Sequence, residues 1–255
     1  NGRTFDAPML DERATMHRHR AGFDALRHVD LLPPVRTGLR GVLESCRLST
    51  VETEVLRLTR PSHEIAGAEV PAHYFRYLRT QDARWLAPIV EHNALDVVSL
   101  AAILARVGAL HSRAREPESL DAIALGRLYA ARGEGSQAQY FLERALDRLP
   151  VGARRDDVLL RLAQLHRRSG RRDLAVDLWA EAAVSPDNGI GPLIEIAKVL
   201  EHDRRDYSGA VAVVEEALRR VEQRRRIDRT GAAADHDVLS HRLARLQRRA
   251  ARVQA

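Results

Sequence analysis

EHNALDVVSL, residues Glu91 to Leu100, lies inside a run from Trp85 to Leu110 whose apolar residues recur at helical spacing. Ile89, Leu95, Val98, Leu100, Ile103, Leu104 and Val107 form a broad apolar stripe, which predicts one long helix with a core-facing side. His92 precedes Asp96 by four residues, so the two side chains share a face of that helix. What an ionisable pair does on an apolar helix depends on what the chain brings beside it.

Outward from this helix the pattern is mixed. Asn1-Gly2-Arg3-Thr4-Phe5-Asp6 is followed by Ala7-Pro8, and the spacing predicts a helix over 8–20. Asp6 is placed as its N-cap, and Pro8 is tolerated in the first turn. The apolar run His28–Leu32, stopped by Pro33-Pro34, predicts a short strand. Ser49 with Glu52 three residues later has the form of a capping box. Residues 71–79 are predicted helical. The polar stretch HSRAREPES, with Pro117, divides the chain near 112–118.

Beyond it the sequence repeats. In LDAIALGRLYAARGEGSQAQYFLERALDRLP, residues 120–150, Leu125-Gly126, Tyr129, Ala138, Leu142, Ala145 and Pro150 follow a spacing that resembles the tetratricopeptide repeat. A second copy has Ala163, His166, Ala175, Trp179 and Ala182. A third has Ile196-Ala197, Leu200, Ala210, Val214 and Ala217. Small residues at these positions let paired helices approach closely, which predicts an all-α solenoid over 118–255 with a basic terminal helix as its cap. Such repeats engage many kinds of partner protein.

Composition sets bounds. The 255 residues are 45% hydrophobic, enough for packed cores. No run is read as approaching the roughly 18 uncharged apolar residues of a membrane span, so no membrane partner is expected. The single Cys46 excludes an internal disulfide and a cysteine-rich zinc site. No signal peptide is read, and the expected location is the cytoplasm. The chain opens without Met and in mid-motif, so a preceding segment is expected. The net charge is +6, and the only lysine is Lys198. From Arg219 to the end there are eleven Arg against Glu222, Asp228, Asp235 and Asp237. That tail reads either as a solvated basic helix or as a surface for nucleic acid.

Asn1-x-x-x-Phe5-Asp6 and, later, His92-x-x-x-Asp96 resemble the second and third motifs of the DEDD-type 3′–5′ exonucleases of the ribonuclease-H-like superfamily. With LESCRLSTVETEVL and AGAEVPAHYFRYLRTQDARWLAPIVEHNALDVVSL between them, residues 1–112 resemble the YprB-type ribonuclease-H-like family. The resemblance implies an α/β fold, present here incompletely and mostly in its helices. It implies two-metal hydrolysis of phosphodiesters in DNA or RNA, with Mg²⁺ or Mn²⁺ as cofactor. Asp6 and Asp96 would be metal ligands, and His92 would orient or deprotonate water. Asn1, Phe5 and Asn93 would contact substrate. The family's first motif, an Asp-x-Glu on a strand, has no counterpart here. Asp11-Glu12 is no substitute, being adjacent acids on a helix. The 255-residue chain by itself is therefore expected to be inactive.

Each motif has a plainer meaning when taken alone. Asp6 is then an N-cap contributing about 1 kcal/mol, and His92 and Asp96 are a surface pair contributing a few tenths. The other function class is a non-catalytic scaffold binding protein or nucleic acid through the repeats. His17 and His19 lack companion ligands. Cys46 reads as a small side chain among apolar neighbours, and Glu44, Glu52 and Glu54 as solvated. Trp85 and Trp179 read as core. Tyr74, Phe75 and Tyr77, beside Arg76 and Arg79, read as helix packing, with base stacking as the other use.

Overall fold

Pro33-Pro34 opens a helix here instead of ending a strand. The structure, a computed structural model, describes residues 2–19, 22–112, 114, 116–225 and 232–254. Helix α1 spans Ala7–Met16 and α2 spans Leu32–Leu39. The Asp30 carboxylate accepts the Leu32 amide at 3.0 Å and the Arg3 amide at 3.3 Å. Those bonds, the Leu32 one foremost, hold the carboxyl below its ordinary range. A proline in the first turn of a helix forfeits no hydrogen bond, so the expected strand at 28–32 is instead an irregular lead-in that turns at Leu31 into α2. No strand occurs among the described residues, and an isolated bridge joins Arg40 and Leu43. The α/β expectation is thus met only by helices in the part described.

Two units emerge from the packing, Asn1–Gly133 and Glu134–Ala255. In the first, a short turn α3 (Leu48–Val51) precedes α4 (Val70–Thr80), α5 (Ala87–His111) and α6 (Ser119–Ala131). The division falls after α6, not at 112–118, because α6 packs on α2. A Cβ at Gly38 would stand 2.9 Å from that of Ala124, so the close approach requires glycine. Arg127 then donates to the Gly38 and Arg40 carbonyls at 3.2 and 2.9 Å, and Arg106 pairs with the buried Asp121 at 2.8 Å on both oxygens. Leu39, Leu43, Val51, Val55 and Ile103 form one buried apolar cluster of this unit.

The face that α5 turns inward is not the one its apolar stripe predicts. His92, Asp96, Ser99, Ile103, Arg106 and Leu110, spaced four-three-four-three-four, bear its partners or are buried. Val98, Leu100, Leu104 and Val107 are instead 42–62% exposed. The stretch Ala83–His111 is also long and apolar enough to cross a membrane by length and composition, with a mean hydropathy of 1.6 in its most apolar window. The expectation that nothing approaches a span is corrected: the scattered acids and arginines interrupt the run too thinly to lower its mean.

The second unit holds α7 (Gly135–Leu146), α8 (Ala153–Arg168), α9 (Arg172–Ala182), α10 (Gly191–Val199), α11 (Tyr207–Arg225) and α12 (Ala232–Gln254). Each packs on the next in chain order. Ala138, Ala145, Ala163, Ala175, Ala182, Ala197 and Ala210 are fully buried, and Ala217 is 1% exposed. Trp179 and Val214 fill the space between them. Burying a large apolar side chain contributes about 1.5–3 kcal/mol. Glu201, buried, binds Arg245 at 2.8 and 2.9 Å and Arg249 at 3.1 Å, which fastens α12 to the turn after α10.

Candidate active site

A strand of charge links three segments of the first unit. Val51 is the last residue of α3, and the chain continues through a wide helical turn, Glu52–Leu56, that ends at Arg57 in left-handed conformation. The expected capping box does not form: Arg47 stands at the N-cap, and the Ser45 hydroxyl accepts its amide at 3.0 Å. Glu52 turns inward to 1% exposure, correcting its assignment as solvated. It meets Arg60, whose Nε and Nη2 donate to its two oxygens at 2.6 and 2.7 Å.

Arg60 is shared. Its Nη2 donates to Asp96 Oδ1 at 2.5 Å, and its Nη1 donates to Glu64 Oε1. Glu64 Oε1 also lies 2.7 Å from His92 Nδ1. Asp96 Oδ2 stands 3.8 Å from His92 Nε2. Three carboxylates therefore surround one guanidinium, and a histidine sits on their rim. Burial alone would push the Glu52 carboxyl up. The hydrogen bonds from Arg60 and Ser99, with the charges of Arg60 and His92, outweigh it and hold the group below its ordinary range. The Glu52 hydrogen bond leads the causes that raise Arg60 still further above its ordinary value. Losing one partner of such a buried pair costs about 3–5 kcal/mol.

The sequence thus placed His92 and Asp96 together correctly as neighbours on α5, while Glu52, Glu64 and Arg60 escaped it. The i,i+4 spacing of Arg60 and Glu64 was the available signal, and forty arginines made it inconspicuous. Asp6 lies exposed at the start of α1, where its side chain makes no cap hydrogen bond. The hydrogen bonds and ion pairs at Arg60 run to Glu52, Glu64, His92 and Asp96. Phe5 is 56% exposed, Asn93 is exposed, and Asn1 lies outside the described residues. A depression of about 360 Å³ beside α1, lined by Arg3, Ala7, Pro8, Asp11 and His28, contains none of the Arg60 group.

A dication centre does not fit what is present. Among the described residues no group of three or more His, Cys, Asp or Glu side chains is placed to hold a metal ion. The physical reason at α5 is Arg60, which already occupies the cationic position among the acids and engages one oxygen of Asp96.

Elsewhere on α4, Tyr74 and Phe75 are 43% and 59% exposed with ring centroids 6.2 Å apart. Helix packing does not account for them. Trp85 meets His73 edge-on at 5.4 Å, and Arg76 covers its ring at 4.3 Å.

Residues 1–107 match the family model described as RNase_H superfamily, and this segment is similar to that superfamily. The chain is also similar to "Uncharacterized protein YprB" of Bacillus subtilis (strain 168), 29% identical over 223 residues, covering 86% of this chain and 53% of the relative. The chain spans about half the length of that relative. No solved structure matches.

Proposed function

We propose that these residues belong to a divalent-metal-dependent nuclease, a 3′–5′ exonuclease acting on DNA or RNA, and that the 255-residue chain alone lacks the activity. The observation carrying this reading is the junction of His92 and Asp96 with buried acids inside a ribonuclease-H-like segment. Hydrolysis needs a group to accept a proton from water, and a histidine held beside carboxylates has that chemistry. The acids described here do not make a metal centre, so further ligands must complete one. Residues 118–255 are read as tetratricopeptide-like repeats that engage a protein partner. Helix α5 is read as a domain helix, since spanning a bilayer would strip Asp96, His92 and Arg106 of their partners. The cytoplasm is the proposed location.

The second reading, a non-catalytic scaffold, draws support from Arg60, which neutralises Asp96. One experiment separates them: Mn²⁺-dependent degradation of 3′-labelled single-stranded DNA by this chain and by the protein in its full coding context. The enzyme reading expects an inactive chain and an active longer protein whose activity is lost in Asp96→Asn and with chelator. A longer protein without activity on DNA or RNA supports the scaffold.

A further inference from the structure

We propose that Glu64 is a positioning residue that fixes the tautomer of His92, leaving Nε2 as the ring's proton acceptor, with Arg60 bracing Glu64. The proposal deepens the nuclease reading and takes its purpose from it, but the tautomer itself can be tested without any catalysis.

Three contacts decide which ring nitrogen bears hydrogen. Glu64 Oε1 stands 2.7 Å from Nδ1 and, as a carboxylate, only accepts. Nδ1–H therefore donates to it. Arg60 Nη1 also lies near Nδ1, at 3.4 Å, but that is the longer contact and Nη1 already donates to Glu64. Asp96 Oδ2 is 3.8 Å from Nε2, too far for a direct hydrogen bond, so the Nε2 lone pair is not consumed there. Histidine in water favours the opposite tautomer, with hydrogen on Nε2. A carboxylate at Nδ1 inverts that preference and sets the ring's orientation.

The surroundings hold the arrangement in place. The Glu64 side chain is 7% exposed and tied to Arg60, which is itself gripped by Glu52. Glu64 is thereby kept from swinging to water. On the other side of the ring, a Cβ at Gly67 would stand 3.7 Å from Nε2. Glycine there places no side-chain carbon against that nitrogen.

The experiment is long-range ring ¹H–¹⁵N correlation on the 255-residue chain with ¹⁵N-histidine, recorded at alkaline pH, with His92→Gln assigning the signal. Nδ1–H is expected in the wild type. Glu64→Ala should shift His92 to the Nε2–H form, and Glu64→Gln, which keeps an accepting oxygen, should restore Nδ1–H. An Nε2–H wild type, or a folded Glu64→Ala chain with the tautomer unmoved, overturns the proposal. If Glu64→Ala does not fold, the wild-type spectrum and Glu64→Gln still decide it. In the full coding context, Glu64→Ala should lower kcat by about 10²-fold with KM little changed. A longer protein that is inactive while His92 shows Nδ1–H sinks the nuclease reading and leaves the dyad standing.

Discussion

Two glutamates, one in each unit, are buried to within 2% exposure and gripped by arginine. Glu201 binds Arg245 and Arg249, which lie 44 and 48 residues away on the terminal helix, and its contacts rivet α12 in place. Glu52 binds Arg60 only eight residues on, and the charge passes from there to Glu64, Asp96 and His92. A buried carboxylate is therefore no sign of chemistry by itself. What differs is whether its cation is used up by one partner or shared with further titratable groups. The units differ in closure too. The alanines of the second are covered, while Val98, Leu100, Leu104 and Val107 of α5 in the first stand open.

The largest effect should break the first unit. Arg60→Ala leaves Glu52 buried without its cation and should cost about 3–5 kcal/mol. Denaturant unfolding monitored at Trp85 would show it, and an undiminished midpoint would mean the network is decorative. For the second unit, the double change Arg245→Ala and Arg249→Ala should cost about 3 kcal/mol or less. Both arginines are nearly half exposed, so water can reach Glu201 once they are gone. Hydrogen exchange should show α12 opening before α8 and α9; protection lost evenly across the unit would contradict the rivet.

Acid sharpens the comparison further. Burial foremost, with Arg171 adding to it, pushes the His166 ring below its ordinary value. The neutral ring therefore contributes stability above pH of about 6.5 that is lost as pH falls through its lowered value. Glu52, also lowered, contributes stability that is complete above about pH 4.5 and fades only below it. Thermal melts should thus fall first in the second unit. His166→Leu should remove that early loss and, by relieving a buried nitrogen without a partner among the described residues, raise stability at neutral pH by up to about 1 kcal/mol. A melt of the second unit independent of pH between 7 and 5 in the unmodified chain would refute it.

The smallest effect concerns the basic end. The basic tail, which includes Arg245, Arg248 and Arg249, reads from sequence either as a solvated helix or as a nucleic-acid surface, and two of these three arginines serve Glu201. Arg248 is exposed. Arg248→Ala should reduce the salt slope of nucleic-acid binding by about one phosphate contact, a slope change of roughly 0.7–0.9. An unchanged slope would remove that helix from the interface.

Long-period patterns carried well from sequence to structure. The small residues of the repeats are buried where their spacing put them, and α4 and α5 begin and end within a few residues of expectation. Local rules failed where another nearby arrangement formed instead. Ser49 does not cap because the helix begins at Leu48, one residue before it, and Glu52 turns inward where Arg60 offers two hydrogen bonds. Leu32 entered a helix, where its amide donates to the Asp30 carboxylate.

By itself the sequence determined the helical periods, the adjacency of His92 and Asp96 on one helix, and a likeness to the ribonuclease-H superfamily over its first part, all of which are carried by residue type and spacing along the chain. Only the tertiary structure decided which face of α5 turns inward and which cation Asp96 meets. Arg60 and Asp96 stand 36 residues apart in sequence, and no local pattern specifies their meeting.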